Sequence, residues 1–144
     1  MRLVLDTNIV VSGLLWDGAP RRLLRAADGA RVLLFTSAPL LEELSVVLSR
    51  TKFEKLIAAL CFSSQQLVGS YADRAEMVRP APMLRLAPDP DDDVVIGTAL
   101  AAKANFVVTG DRTLLTVGEY EGVRIISVSE ALEAVAQSAS YERR

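Results

Sequence analysis

The chain has 144 residues, of which 51% are apolar and 24% charged, with a net charge of −2 and no histidine, a composition that fits one globular domain with a full core. The missing histidine excludes Ser-His-Asp and Cys-His nucleophilic sites, imidazole-bound zinc and histidine general bases, and leaves carboxylates as the available catalytic ligands. The slightly negative charge argues against a broad basic footprint for duplex DNA, but not against nucleic acid handled through a metal ion and a few local arginines.

Leu3, Val4 and Leu5 make an apolar run without alternation, as in a short strand buried on both faces of a parallel sheet. That run ends on Asp6, beyond the carboxyl end of the strand, where open α/β sheets place their ligand crevice. Residues 9–16 read as a short helical or irregular connection. Gly18-Ala-Pro20 opens a helix through Ala27, with Pro20 in its tolerated first turn and Asp28-Gly29 as its stop. Residues 32–36 read as a second buried strand, and Ser37 is placed to cap a helix over 39–49 in which Leu40, Leu41, Leu44, Val47 and Leu48 follow the 3.6-residue period. Thr51 with Glu54, and Ser63 with Gln66, match the capping-box pattern and predict helices over about 52–60 and 64–76, a helical insert spanning about 51–76. Within it, Leu56, Ile57, Leu60, Phe62 and Leu67 offer apolar surface for a dimer contact or for ordinary core, and Cys61 reads as a small buried hydrophobe.

Pro80-Ala-Pro82 and Pro88-Asp-Pro90 bracket a loop with one short strand at its start, and residues 91–103 read as a helix with an acidic first turn. Residues 105–109 are the next buried strand, ending at a Gly110-Asp111 turn that starts a short helix through Leu114 and Leu115. Residues 123–126 are the last strand. Ser127 and Glu130 form a third capping box, opening a helix that leads into a polar tail expected to be disordered after Ser138. Repeated β-α units with near-continuous apolar strands predict an α/β fold: a three-layer α/β/α sandwich around a mostly parallel sheet, one domain over 1–137 with 138–144 as its tail. Apolar runs are short and broken by charge, so no membrane span is expected. Asp6 falls where a signal peptide needs its apolar centre, which points to a cytoplasmic protein.

Asp6, Asp111 and the Asp91 to Asp93 run all fall on the carboxyl-end side of that architecture. Glu43 lies mid-helix beside the inward stripe of Leu40, Leu44 and Val47. Taken singly, each has an ordinary reading: Asp6, Asp111 and the aspartate run as helix caps and dipole partners, Glu43 as a solvated helix residue. Together, converging carboxylates repel and lose hydration, and a hard divalent ion such as Mg²⁺ or Mn²⁺ with oxygen ligands makes their proximity tolerable.

These residues resemble the PIN domain family, and within it the VapC-like toxins of toxin-antitoxin systems. The resemblance covers nearly the whole chain. Leu5-Asp-Thr-Asn-Ile-Val-Val-Ser12 looks like the opening motif, and Leu40-Leu-Glu-Glu-Leu44 with Arg50-Thr-Lys-Phe53 looks like the second acid and the turn after it. Asp89-Pro-Asp-Asp92 looks like the third motif and Val107-Val-Thr-Gly-Asp111 like the fourth. Four such motifs in the right order are specific where one would be weak.

The resemblance implies a ribonuclease in which Asp6, Glu43, Asp92 and Asp111 hold one or two Mg²⁺ or Mn²⁺ ions that activate water against an RNA phosphodiester. Asn8 takes the place of a residue supporting the first aspartate, and Thr109 or Ser12 could act alike from behind it. The third acid is open between two neighbours. Counting back from Asp111 points to Asp93, whereas alignment of the Asp-Pro-x-Asp motif points to Asp92, which shares a helix face with Val95, Ile96 and Ala99. Arg112, beside Asp111, is the preferred phosphate contact among scattered cations. Trp16, Phe53 and Tyr120 read either as stacking surfaces for unpaired bases or as core. The resemblance also implies a homodimer and an antitoxin protein as partner.

Rival classes fit less well. A haloacid-dehalogenase-type phosphatase needs a second aspartate where Asn8 stands, a response-regulator receiver needs an acidic pair on the first strand and a late lysine, and a dinucleotide fold needs a Gly-x-Gly-x-x-Gly after the first strand. Two milder alternatives keep the same fold: a catalytically inactive PIN-like module that binds RNA or a partner, and a non-toxin RNA-processing nuclease.

Overall fold

The computed structural model describes residues 1–82 and 90–142. Its strands are β1 (Arg2–Leu5), β2 (Leu33–Thr36), β3 (Ala75–Met77), β4 (Phe106–Val108), β5 (Glu119–Tyr120) and β6 (Val123–Ile126), in the order β3-β2-β1-β4-β6-β5. All neighbours pair in parallel except β5 with β6. Helices α1 (Thr7–Leu15), α2 (Ala19–Ala26), α3 (Ala38–Leu48), α4 (Glu54–Ala59), α5 (Ser64–Arg74), α6 (Pro90–Ala102) and α7 (Arg112–Val117) lie between strands, and α8 (Val128–Glu142) follows β6.

Strand alternation divides the core into two. Leu3, Leu5, Leu34, Val108 and Ile126 point to the face covered by α1, α2, α3, α5 and α8. Val4, Phe35, Val107 and Ile125 point to the face covered by α6 and α7. The expected three-layer α/β/α sandwich is therefore present, with both faces of the central strands dry. On the first face α1 and α2 pack closely because residue 13 is glycine: a Cβ there would stand 2.6 Å from Leu24 Cδ1 and 3.2 Å from the Pro20 carbonyl oxygen.

Several elements differ from the sequence expectation. Residues 9–16, read as helical or irregular, lie within regular helix α1 up to Leu15, which Asp6 caps. The Thr51 capping box is not formed, because residues Thr51–Phe53 take a 3-10 turn before α4 starts without a side-chain cap. The Ser63–Gln66 box forms in both directions, at 2.8 and 3.1 Å, and so does the one joining Ser127 to Glu130. Helix α8 continues through Glu142 instead of ending near Ser138, because residues 138–142 contain neither proline nor glycine to stop it. Strand β5 is a two-residue antiparallel edge with no counterpart in the sequence expectation. Residues 83–89, part of the expected proline-bracketed loop, lie outside the described residues.

Cys61 is the clearest correction. It is exposed, not buried, because α4 ends just before it and Cys61 takes the left-handed conformation (φ 61°) that closes a helix. Its N–H donates to the Ala58 carbonyl and that of Phe62 to Ile57, which turns the apolar run outward and leaves Phe62 half exposed. Of the insert's other apolar side chains, Ile57 and Leu67 are buried. Trp16 is largely exposed and meets the buried Phe53 edge to face, ring centroids 5.9 Å apart.

Among the described residues, Tyr71 is the one discordant group in the core. Its hydroxyl is buried with no hydrogen-bond partner among the described residues, and burial pushes its phenol pKa up. A raised folded-state pKa means that the unfolded chain ionises first, so stability is lost as pH rises above about 10. Tyr71→Phe is expected to be neutral or stabilising by about 1 kcal/mol at pH 7, and to lessen that alkaline loss, as read by denaturant unfolding at pH 7 and pH 10.5.

Candidate active site

The chain runs outward from β1 through β2 to β3, then returns to place β4 on the other side of β1. This reversal is the topological switch point of an open α/β sheet, and the crevice beyond the carboxyl ends of β1 and β4 is where such sheets bind ligands. Asp6 directly follows β1, and its backbone N–H donates to the Val108 carbonyl oxygen of β4 at 2.9 Å. Thr109 directly follows Val108.

A short polar chain connects the two strand ends. Thr109, fully buried, donates from Oγ1 to Asp6 Oδ2 at 2.7 Å. The same oxygen accepts the Asp111 N–H at 3.0 Å. Asp6 Oδ1 accepts the Thr7 N–H at 2.8 Å, and Asp111 Oδ1 accepts the Thr113 N–H at 2.7 Å, capping α7. The ordinary cap reading of both aspartates is thus correct as far as it goes. A cap uses one oxygen, however, and the second oxygen of Asp6 is turned onto Thr109 at the rim.

Thr109→Val removes a charge-assisted hydrogen bond to a carboxylate that is only 8% exposed and leaves the Asp111 N–H without this acceptor. A loss of about 1.5–3 kcal/mol in unfolding free energy is expected. Thr109→Ser, which keeps the hydroxyl, recovers most of it; equal losses in both variants would contradict this role.

Helix α6 reaches the same rim from the other direction. Its carboxyl end is fixed at the amino end of β1, where Arg2 Nε donates to the Ala102 carbonyl at 2.8 Å, so its first turn lies at the carboxyl end of the sheet. Asp92 is there, 9% exposed, on the face of the fully buried Val95, Ile96 and Ala99, while Asp93 is half-buried. Of the two candidates for the third acid, Asp92 has the interior position. Glu43, half-buried in α3, lines with Pro39, Glu42, Val46 and Val94 a groove of about 350 Å³ between α3 and the start of α6.

The remaining residues divide clearly. Ser12 is half-buried within α1, whereas Asn8 and Arg112 are exposed; Thr109 and the Thr7 N–H donate to the Asp6 carboxylate. Sequence reasoning missed Thr98 and read Ser37 only as a cap; the two are fully buried hydroxyls that pair across α3 and α6 at 2.9 Å. The available signal was a threonine set in the apolar run 94–102.

Donor chemistry fits a hard divalent ion: every candidate ligand offers carboxylate oxygen, and two of the carboxylates are nine-tenths buried or more. The spacing is open, because among the described residues no three Asp, Glu, Cys or His side chains stand close enough to hold a metal together. Among the same residues no helix is long and apolar enough to cross a membrane.

Comparison with known proteins adds sequence and fold evidence. The family described as PIN domain matches residues 2–113. No curated protein matches the sequence. One chain of the Rickettsia felis VapBC2 complex, crystallised with a DNA fragment from its promoter, is similar with a TM-score of 0.60 and 17% identity, over 88% of this chain and 98% of that one. The PIN domain of T. brucei RRP44 is similar at a TM-score of 0.48 and 13% identity, over 96% of this chain and 83% of that one.

Proposed function

The chain belongs to the PIN domain family, and from that premise we propose that it is a metal-dependent endoribonuclease hydrolysing RNA phosphodiester bonds. The observation that carries this reading is the hydrogen-bonded chain Asp6–Thr109–Asp111, which joins two carboxylate-bearing segments at the switch point of the sheet. In this reading Asp6, Glu43, Asp92 and Asp111 hold one or two Mg²⁺ or Mn²⁺ ions, with Asp93 as the alternative third ligand. The bound ion supplies a water of lowered pKa and offsets charge developing on the phosphate.

The protein's own residues do the rest. Thr109 fixes the rotamer of the Asp6 carboxylate, as an outer partner of a ligand does, and Ser12 and Asn8 are the further supports on α1. Arg112, exposed directly after Asp111, meets a substrate phosphate. With no histidine in the chain, a carboxylate takes the proton of the attacking water. The toxin role in a type II toxin-antitoxin pair, with an antitoxin protein as partner, draws on the likeness to a chain of the VapBC2 complex. A homodimer acting in the cytoplasm completes the reading.

The open spacing of the carboxylates favours one alternative, a PIN-like module that binds RNA or a partner without cutting it. Mn²⁺ titration separates the two. A nuclease gains stability with the ion, about 2.7 kcal/mol at a hundred times its Kd, loses that gain on chelation, and cleaves single-stranded RNA over the same Mn²⁺ range. No gain and no cleavage with either Mn²⁺ or Mg²⁺ would overturn the nuclease reading and favour the binding module instead.

A further inference from the structure

Ser37 and Thr98 come from segments 61 positions apart in sequence, and their hydroxyl oxygens stand 2.9 Å from one another. Thr98 Oγ1 also donates to the Val94 carbonyl oxygen at 2.8 Å. A hydroxyl has one proton to give, so the proton between the two side chains comes from Ser37. The bonds therefore run one way, from the Ser37 hydroxyl to Thr98 Oγ1 and on to the Val94 carbonyl oxygen.

Ser37 occupies the N-cap position of α3 yet makes no side-chain cap bond, although a serine there ordinarily contributes about 1 kcal/mol by capping. Its hydroxyl is turned sideways onto α6. The relay ends on Val94, two residues after Asp92, and Val94 shares its groove with Glu43. One buried polar link thus ties the helix carrying Glu43 to the turn carrying Asp92. The apolar packing of the cluster to which Leu40 of α3 and Val95 and Ile96 of α6 all belong is non-directional and would tolerate sliding of one helix along the other. A hydrogen bond with a narrow distance range would not.

We propose that Ser37 and Thr98 are positioning residues that set the separation of α3 and α6, and with it the span over which Glu43 and Asp92 share a divalent cation. The part concerning the cation rests on the nuclease reading above; the part concerning helix separation does not.

The test pairs two readouts on Thr98→Val, Ser37→Ala and Thr98→Ser. In the first, Mn²⁺ affinity is measured by calorimetry. Thr98→Val and Ser37→Ala are expected to weaken it about tenfold, the scale of losing an outer partner of a metal ligand, with the double variant little worse than either and Thr98→Ser close to wild type. In the second, spin labels at the exposed Val46 of α3 and Ala101 of α6, in a Cys61→Ser background, report the inter-helix distance in metal-free protein. The distribution shifts or broadens in Thr98→Val and in Ser37→Ala and keeps its wild-type form in Thr98→Ser.

An unchanged distance in the two hydroxyl-deleting variants overturns the proposal. A changed distance with unchanged Mn²⁺ affinity overturns its cation part. If wild type binds no Mn²⁺, the nuclease reading fails and the label distances alone decide the helix-separation part. If Thr98→Val does not fold, Ser37→Ala carries both readouts.

Discussion

Asp6→Asn is expected to lower divalent-dependent RNA cleavage about a thousandfold or more, equivalent to about 4 kcal/mol of transition-state stabilisation. The variant keeps the side chain's shape. Asparagine Oδ1 can still accept the Thr7 N–H that now reaches Asp6 at 2.8 Å, so the α1 cap survives. Its amide nitrogen would face Thr109 Oγ1 in place of the carboxylate oxygen that now accepts from it at 2.7 Å. What is lost is the negative charge at the switch point. Unfolding free energy is expected to change by no more than about 1 kcal/mol, the scale of one neutral hydrogen bond. The measurement is cleavage of a single-stranded RNA in Mn²⁺ alongside a denaturant curve for the same preparation. Retained cleavage, or a loss of activity matched by loss of fold, would remove Asp6 from the proposed role.

Phe35→Ala is expected to cost about 3–5 kcal/mol of stability, the range for truncating a buried aromatic. Phe35 is 1% exposed at the centre of β2 and packs in the cluster that contains Leu40, Val95 and Ile96. The Arg2 guanidinium sits over its ring, 4.4 Å from the centroid, and the same arginine holds the carboxyl end of α6. Truncation would therefore open a cavity beneath α6 and loosen the anchor that directs the other end of that helix to the rim. Against a total of about 5–15 kcal/mol, a loss of this size brings the domain near its unfolding threshold. Urea unfolding reads it directly, and a cost below about 1 kcal/mol would mean that the site collapses around the missing ring.

Most of the architecture could be read from the chain because parallel strands buried on both faces leave a plain signal: continuous apolar runs at 3–5, 32–35 and 106–108 between amphipathic segments. The edges gave less. Strand β3 is largely exposed, with little apolar pattern, and β5 has two residues. The insert misled most. The run 56–62 is apolar throughout, but nothing in its composition indicates that α4 stops at Ala59 and that Cys61 takes the left-handed turn. At the rim, Asp6 and Thr109 were legible because each immediately follows a strand, and Asp111 because it closes the Gly-Asp turn two residues further on; adjacency of β1 and β4 brings them together. The interior position of Asp92 followed from helix periodicity. Ser37 was legible as a cap and not as a bridge, because its partner lies in α6, 61 residues away, and only the packed structure brings the two together.

Among the described residues the sheet terminates on one side in the three residues of β3 and on the other in the two residues of β5. Edges so brief offer an incoming strand few open N–H and C=O groups, and β3 carries a glutamate, Glu76, in its middle. Continuous strand addition between copies is thereby disfavoured, which protects the protein from fibrous association. A pairing of two copies through helix side chains could be retuned by single substitutions without touching the backbone that carries Asp6 and Asp111.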